Sequence, residues 1–415
     1  MKIFKFGGAS VKDVEGVKNV LRVLQHEGFE NTLVVISAMG KMTNAFEKIA
    51  HSYCYNTKEL EIDIEFVRNF HLEITTHLFE EKNHSIFIEV EQLFGELSSF
   101  LISNKLTDYN FIYDQIVGYG ELLSTKIVSA YLNKNNIDTN WIDVRDCIKT
   151  DSIYRDASVN WELTSKNIKQ LNTNKLYITQ GFLGSNSKNK TTTLGREGSD
   201  YTAAIFGYCL NVKSITIWKD VDGVLNADPR YFKETQLLQQ ISYSEAIEMA
   251  FYGASVIHPK TLKPLENKNI PLYVRSFYSL EKNGTTVGKG HALIPEIPCF
   301  ILKQHQILVS ISALDFSFMV ENNLSDIFKI LHTYKLKVNL IQNSALSFSV
   351  CIEDNFNNFQ QFLNELKLKF NINYVKNVSL YTIRHANKTA VTKLEKNRKV
   401  LLKQVTKGTV QLVMQ

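Results

Sequence analysis

The chain of 415 residues is long for a single hydrophobic core, and its balance of 44% apolar and 21% charged residues is typical of soluble globular proteins. The net charge of +5 comes from scattered lysines, and no basic stripe alternates with aromatic residues, so the composition disfavours nucleic-acid binding. Five widely spaced cysteines without a CxxC pair, no signal peptide and no long apolar run predict a cytoplasmic protein with reduced thiols and no membrane partner.

Short apolar runs alternate with helical patterns over roughly the first 295 residues. Runs rich in β-branched residues are typical of buried strands in a mostly parallel sheet, which predicts an α/β sandwich. Between the second and third run, about 45–115 is polar with a long helical period, which predicts a helical insertion. The strand candidates are 2–6, 32–39, 176–184, 214–221 and 271–277.

Two helices in this region carry recognisable start signals. Ser10 and Asp13 resemble a capping box before the first helix. Ser242 and Glu245 repeat that pattern before a later helix, and Gly253 is expected to end it.

The pattern changes near residue 300. Strands at 306–314, within 337–352 and at 372–383, with helices between them, give the order β-α-β-β-α-β of a ferredoxin-like unit. One helix at about 388–404 and one short strand are expected to close the chain. This tail is too short for a second complete unit.

The first polar motif is KFGGAS, where the first strand ends. Backbone N–H groups at Gly7 and Gly8, together with the charge of Lys5, suit a bound phosphate. The alternative is a tight turn with a surface lysine. The sequence holds no G-x-x-x-x-G-K-[ST] motif and no G-x-G-x-x-G motif after a strand, which disfavours a P-loop enzyme and a Rossmann dehydrogenase.

Further candidate binding residues lie after the second strand and at the start of a predicted helix. Ser37 and Thr43 flank a small-residue turn at the carboxyl end of a strand, where open α/β sheets bind ligands. Glu121 falls in the first turn of a predicted helix. An acid there either stabilises the helix dipole or receives a substrate ammonium group.

Two loops combine basic and acidic residues. In TTTLGREGSDYTAA (191–204), Arg196 is a bidentate binder of carboxylate or phosphate, and Ser199 and Asp200 stand at a helix start. The loop within 218–232 alternates acids such as Asp220 with Arg230, which favours a position beside a nucleotide over a structural turn.

In this order, the motifs KFGG-S, SAMGK-T, GELLS, TTLGR-GSDYTAA, DVDGV-ADPR and YGA-VIHPKTL closely resemble aspartate kinases of the amino-acid kinase superfamily. The similarity covers residues 1 to about 290, and the C-terminal unit looks like an ACT regulatory domain. It implies a catalytic domain at 1–295, with an aspartate-binding part to about 210 and a nucleotide-binding part at about 211–295. It also implies an ACT-type domain at 300–415, with one full unit at about 305–384 and a truncated second unit.

The resemblance implies transfer of the ATP γ-phosphoryl group to the side-chain carboxylate of L-aspartate, the first step toward lysine, threonine and methionine. It makes Lys5, Asp200 and Arg196 catalytic, with Asp200 acting on Lys5 or on Mg²⁺. Mg²⁺ would bridge the phosphates. The implied aspartate-binding residues are Ser37, Thr43, Glu121, Arg196 and Ser199. The implied nucleotide-binding residues are Lys5, Gly7, Gly8, Ala9, Lys219, Asp220, Leu225, Arg230 and Ser255.

Some positions depart from the family pattern. Ala9 and Lys219 stand where threonine is common, and Ser255 stands where a nucleotide-contacting lysine is common. Either Lys219 supplies the charge that Ser255 lacks, or the two changes are independent drift. Glu197 replaces a usual glycine, and we expect it to have φ < 0 and to point outward near a helix start.

The ACT-like unit departs further. The positions that match an effector site are Asn322, Asn323, Leu324, Val338 and Asn339. An amide at Asn339 can accept a hydrogen bond from an ammonium group but cannot neutralise it, so weak lysine binding is expected. We expect a homodimer through the ACT domains, with the identity of any amino-acid effector left open. Two other functions stay open: a kinase of the same superfamily for another small carboxylate, and a catalytically idle ligand sensor.

Overall fold

A computed structural model describes residues 1–81, 83–254, 257–315 and 317–415. The chain divides into two compact units. The first is formed by Met1–Val224, Leu237–Ile247 and a segment that ends at Pro295. The second is formed by Leu225–Gln236, a short segment that begins at Glu248, and Glu296–Gln415.

The first unit is built on a sheet to which the described residues contribute eight strands, in the order β3-β4-β2-β1-β7-β9-β10-β8. The pairings are parallel except that of β9 with β10. This confirms the predicted mostly parallel sheet. The strands before residue 290 are β1 (Lys2–Phe6), β2 (Thr32–Ile36), β3 (Asn140–Ile142), β4 (Tyr177–Gln180), β5 (Leu183–Ser185), β6 (Thr191–Thr193), β7 (Ile215–Lys219), β8 (Gln240–Ser242), β9 (Leu272–Ser276) and β10 (Thr285–Gly288); β5 and β6 form a separate hairpin.

Helices lie between these strands and cover the sheet. Their apolar residues join those of β1 and β2 in one large core. The helices before residue 270 are α1 (Val14–Glu27), α2 (Met42–Tyr55), α3 (Thr57–Leu78), α4 (Ser85–Ser103), α5 (Tyr109–Lys134), α6 (Val144–Cys147), α7 (Trp161–Ile168), α8 (Gly198–Leu210), α9 (Tyr243–Tyr252) and α10 (Pro259–Lys268). A short 3₁₀ turn spans Gly8–Val11.

The register of the central strands determines where the functional side chains can meet. Phe6 at the end of β1 is paired with Ile36 on β2 and with Trp218 on β7. Ile36 is in turn paired with Gln180 at the end of β4. Because parallel strands end at the same edge of a sheet, the loops after β1, β2, β4 and β7 emerge side by side.

The two predicted helix starts differ in outcome. Helix α1 begins one residue after Asp13, whose carboxylate accepts the Gly16 N–H at 2.8 Å. The expected cap at Ser10 is therefore wrong, and its hydroxyl instead donates to the carbonyl of Trp218. The cap at Ser242 is confirmed by a 3.0 Å bond from the Glu245 N–H.

The second unit is an antiparallel sheet of six strands in the described residues, in the order β12-β13-β11-β14-β16-β15. Helices α11 and α12 fall where the predicted β-α-β-β-α-β order requires them, which confirms the ferredoxin-like unit. The elements are β11 (Cys299–Ala313), α11 (Glu321–Thr333), β12 (Lys337–Asn343), β13 (Phe348–Glu353), α12 (Phe359–Leu366), β14 (Phe370–Arg384), α13 (Lys388–Glu395), β15 (Val400–Thr406) and β16 (Thr409–Met414).

The tail differs from the prediction. A shorter helix is followed by two paired strands, whereas one long helix and one strand were expected. Gly408, with φ at 74°, supplies the tight turn between β15 and β16. Strand β16 pairs with the second half of β14, so the tail extends the same sheet.

Two negative findings apply to the described residues only. None of the helices there combines the length and apolar character needed to cross a bilayer. No disulfide joins any of the five cysteines, all of which lie in the described part of the chain.

The turn after β1 allows a sharp test of packing. A Cβ atom on Gly8 would lie 2.7 Å from the Gly40 carbonyl oxygen and 2.8 Å from that of Ala38. Because both are backbone atoms, we expect Gly8→Ala to destabilise the protein by about 1–3 kcal/mol in urea unfolding.

Gly95 is the matched control, because a Cβ there meets nothing within 4 Å on the exposed face of α4. Gly95→Ala should leave stability unchanged or raise it by up to about 1 kcal/mol, since alanine favours helix. Equal effects of the two substitutions would contradict the close approach at Gly8.

Candidate functional site

A cavity of about 250 Å³ opens where the central parallel strands end. Its wall combines residues from the ends of β1 and β2, the middle of α5, and the loop and first turn of α8. The lining residues are Lys5, Ser37, Thr43, Glu121, Phe182, Gly195, Glu197, Gly198, Ser199 and Asp200. Six of these were selected from the sequence as catalytic or aspartate-binding residues, and the fold brings them together.

A buried ion pair forms one side of the cavity. Lys5 Nζ lies 2.5 Å from Asp200 Oδ1, and both side chains are at most 10% exposed. Burial by itself raises the pKa of Asp200, but the ammonium groups of Lys5 and Lys219 outweigh it and hold that pKa below its usual value. Asp200 is therefore ionised, paired with Lys5 and stabilised by the charge of Lys219.

Glu121 forms another side of the cavity with a carboxylate that is poorly satisfied. It is 2% exposed, and its Oε1 accepts only long bonds, from the Ala38 N–H at 3.4 Å and the Thr43 hydroxyl at 3.5 Å. Its Oε2 has no hydrogen-bond partner in the part of the chain that the structure describes. Burial raises the pKa of Glu121 to about 8.

The expected position of Glu121 at a helix start is wrong. Helix α5 begins at Tyr109, where Asp108 caps it by accepting the Asn110 N–H at 3.0 Å. Glu121 lies near the middle of this helix, far from the positive end of its dipole. A helix-dipole role therefore does not explain a buried acid there, and the binding of an ammonium group is the alternative that stays open.

Small residues shape the rest of the wall. A Cβ on Gly181 would lie 2.5 Å from Ser199 Oγ, so the chain after β4 needs glycine for α8 to approach. Gly8 likewise allows the turn after β2 to pack against the turn after β1. Gly7 has more room, with Lys5 Nζ 3.5 Å from where its Cβ would be, and the neighbouring Ala9 is exposed.

The loop before α8 corrects one expectation. Glu197 has φ at 53° and ψ at 29°, the left-handed conformation, so the prediction of φ < 0 is wrong. Its side chain is exposed, and its carboxylate accepts the His258 backbone N–H at 2.9 Å. A left-handed residue costs about 1–2 kcal/mol, and a hydrogen bond to a charged group contributes about 1.5–3 kcal/mol, enough to offset it.

Arg196 sits in the same loop but outside the cavity wall. It is exposed and stands between Gly195 and Glu197, which both line the cavity. The loop therefore places the backbone of Arg196 beside the cavity.

The residues predicted to bind the nucleotide do not all belong to the same unit. Lys219 ends β7 and acts electrostatically on Asp200, while the neighbouring Asp220 is exposed. Leu225 and Arg230 belong to the second unit, where Arg230 forms an exposed ion pair with Asp228.

Ser255 lies outside the described residues. Both explanations of Lys219 and Ser255, compensation of charge and independent drift, therefore stay open.

The effector candidates fall on two elements of the second unit. Asn322, Asn323 and Leu324 lie in the first turn of α11, and Val338 and Asn339 lie on β12. All five residues are therefore part of regular secondary structure.

Asn339 is engaged within its own chain. Its Oδ1 accepts a 2.8 Å bond from the ammonium group of Lys303, and its Nδ2 donates to Gln306 Oε1 at 2.7 Å. Burial lowers the pKa of Lys303 to about 8, with the nearby Lys337 adding to the effect.

Of the other four wall residues, Phe182, Gly195 and Gly198 were not predicted as site residues, and Glu197 was expected to point outward. Phe182 was assigned to a strand at 176–184, but β4 ends at Gln180 and Phe182 has φ at 72°. The glycine at 181, directly before Phe182, was the signal in the sequence that the strand ends there. Asp114, seven residues before Glu121 on α5, was also missed because its partners are distant in sequence.

Comparison with known proteins agrees with this geometry. The sequence pattern of the Amino acid kinase family matches residues 1–276. Lysine-sensitive aspartokinase 3 of Escherichia coli K12 is 31% identical over 345 residues, which are 82% of this chain and 75% of that protein.

Two crystal structures of E. coli aspartokinase III superpose on the whole chain. The complex with lysine and aspartate (T-state) and the complex with aspartate and ADP (R-state) each give a TM-score of 0.82 at 26% identity. The matches cover 100% of this chain and 95% and 96% of those chains.

Other relatives are much longer. Bifunctional aspartokinase/homoserine dehydrogenase 2 of Arabidopsis thaliana is 32% identical over 294 residues, which are 69% of this chain. The match spans 32% of the length of that protein. Because the family pattern matches residues 1–276 and the E. coli aspartokinase is similar over most of both chains, the chain belongs to the amino acid kinase family and, within it, to the aspartokinases.

Proposed function

We propose that the protein is an aspartate kinase, which transfers the γ-phosphoryl group of ATP to the side-chain carboxylate of L-aspartate. The observation that supports this most directly is the cavity in which the unsatisfied carboxylate of Glu121 faces the same space as the Lys5–Asp200 pair. One end of such a cavity suits an ammonium group and the other suits transferring phosphate.

The amino group of aspartate is the proposed partner of Glu121. A buried carboxylate with an unpaired oxygen is costly unless a cation or donor meets it. A primary ammonium group supplies both a positive charge and three N–H donors. The hydroxyl groups of Thr43 and Ser199 line the same cavity and would bind the rest of the substrate.

The reaction needs charge neutralisation more than a base. The β-carboxylate of aspartate is already ionised, so one of its oxygens attacks the γ-phosphorus while the bond to the β,γ-bridging oxygen breaks and ADP leaves. The ammonium group of Lys5 would stabilise the charge on the transferring group, and Asp200 would hold Lys5 in place. Lys219 would add a second positive charge beside them.

Two further groups complete the proposal. Arg196, exposed beside the cavity wall, would bind a carboxylate of aspartate by a bidentate contact. Mg²⁺ would enter with ATP as part of the substrate. The phosphates would then supply much of its coordination.

A hydroxylamine-trapping assay tests the function. The wild-type protein with MgATP should give aspartyl hydroxamate from L-aspartate and little product from L-glutamate. Lys5→Met should lower kcat by about 10²–10³-fold, because it removes the charge at the transferring phosphate. The control Lys213→Met removes an exposed lysine of the same unit and should leave kcat unchanged.

Equal turnover of glutamate would support another carboxylate kinase of the family. No turnover, together with no heat of binding for MgATP, would indicate an idle sensor. Either outcome would refute the proposal.

Glu121 predicts a pH dependence of substrate binding. Because burial raises its pKa to about 8, the free protein carries a protonated Glu121 below that pH. Binding the substrate ammonium group requires the ionised form, so each pH unit below 8 should raise KM for aspartate up to about tenfold. KM should level off above pH 8, and kcat at saturating aspartate should change less.

Glu121→Gln cannot ionise, so it should show a high KM for aspartate that does not vary between pH 6 and 8. The KM for ATP serves as the internal control in both proteins. A KM for aspartate that rises with pH in the wild type would contradict the assigned role.

Regulation is also part of the proposal. The E. coli enzyme in the T-state structure binds lysine. Here an effector lysine at Asn339 would compete with Lys303 for the same amide oxygen. We therefore expect weak inhibition by millimolar lysine. Assembly into a homodimer through the second unit and a cytoplasmic location stay predictions.

Lys303→Met should make Asn339 Oδ1 available and strengthen lysine inhibition about fivefold, since a net hydrogen bond is worth about 1 kcal/mol. Lys337→Met is the matched control, because it removes an exposed cation near Lys303 and leaves the contact to Asn339 in place. Strong cooperative inhibition of the wild type by lysine would contradict this expectation.

A further inference from the structure

Asp114 is a buried carboxylate that the proposed chemistry does not use. It lies on α5 seven residues before Glu121, which places the two acids about 10 Å apart along the same face of one helix. Asp114 is 0% exposed. Such a group is retained only where donors satisfy it.

Three donors meet this carboxylate. The Thr193 hydroxyl donates to Oδ1 at 2.8 Å, and the Thr193 N–H donates to Oδ2 at 2.9 Å. The Arg155 N–H donates to Oδ2 at 3.1 Å. Two of the three are backbone groups, so Asp114 fixes main-chain positions as well as side chains.

One anchored segment leads directly to the cavity, and the other is hydrogen-bonded to it. Thr193 is the last residue of β6, two residues before the cavity-lining Gly195. The Ala157 N–H donates to the Thr193 carbonyl at 2.9 Å, which ties the segment after Arg155 to the same point. Asp114 therefore joins α5, β6 and the loop around 155.

The loop that follows has left-handed backbone at two positions, a conformation that glycine adopts freely and glutamate adopts only at a cost. Gly195 has φ at 78° and Glu197 has φ at 53°, with Arg196 between them. A Cβ on Gly195 would lie 2.5 Å from Asp156 Oδ1, so the neighbouring loop also limits its position. The hydrogen bond from the His258 N–H offsets the cost at Glu197, while the contact of Thr193 with Asp114 fixes the chain two residues before Gly195.

We propose that Asp114 is a positioning residue, which fixes the end of β6 and thereby places the Gly195–Glu197 loop, with Arg196, beside the substrate cavity. Helix α5 would then serve both ends of the substrate. Glu121 would bind the ammonium group, and Asp114 would hold the Gly195–Glu197 loop near the carboxylate group. The kinetic part of this inference rests on the proposed aspartate kinase activity.

Asp114→Asn is the direct test. An amide carries no charge and has one accepting oxygen, so the charge-assisted hydrogen bonds from Thr193 and Arg155 are weakened and the Thr193 hydroxyl can no longer donate to its present partner. We expect KM for aspartate to rise about tenfold while KM for ATP changes less than twofold. Thr193→Ser keeps both donors and should behave as the wild type, whereas Thr193→Val removes the hydroxyl alone and should show a smaller rise.

Asp63→Asn is the matched control for a buried carboxylate. Asp63 on α3 accepts the Ser52 hydroxyl at 2.6 Å and pairs with Lys48 at 2.8 Å. Its substitution should lower the melting temperature without changing KM for aspartate. A rise in KM for Asp63→Asn equal to that for Asp114→Asn would show a general loss of stability and overturn the positioning role.

Hydrogen exchange gives a readout that does not depend on activity. In Asp114→Asn, the amides of 193–198 should exchange at least tenfold faster, with those of α3 and α4 unchanged. If the wild type fails to phosphorylate aspartate while this local change occurs, the proposed function fails and the anchor stands. Unchanged exchange at 193–198 in both Asp114→Asn and Thr193→Val would overturn the anchor.

Discussion

The ion pair between Lys5 and Asp200 is the interaction on which the rest of the site depends. It joins the end of the central strand β1 to the first turn of α8 at 2.5 Å, almost out of contact with solvent. Removing one partner of a buried pair leaves an uncompensated charge and costs about 3–5 kcal/mol. Glycines at 8 and 181 allow the loops to approach this pair closely. Across the cavity, α5 supplies the carboxyl group of Glu121, which suits a positively charged group of the substrate.

Much of the fold could be predicted from the sequence because buried parallel strands consist of continuous runs of apolar residues. The site could be predicted in part for the same reason: Lys5 and Ser37 directly follow or end such runs, and parallel strands end at one edge. The ferredoxin-like order of the second unit was equally readable. The tail hairpin was missed because its only strong local signal is Gly408.

Other features could not be predicted because distant segments determine them. The conformation of Glu197 depends on a backbone N–H from His258, 61 residues away. Asp114 meets Thr193 across 79 residues. Helix α5 begins at Tyr109, so the role of Glu121 could not be read from a start signal. Local propensity describes none of these contacts.

The position of β1 has a consequence for the way the chain reaches its native state. Its neighbour β7 begins more than 200 residues later, and Ser10 bonds to Trp218 across 208 residues. At a synthesis rate of about 5–20 residues per second, the first strand waits roughly 10–40 s for that neighbour on the ribosome. During this time β1 and β2 can form only an incomplete sheet with an exposed edge, so the nascent chain is most vulnerable to aggregation before β7 emerges.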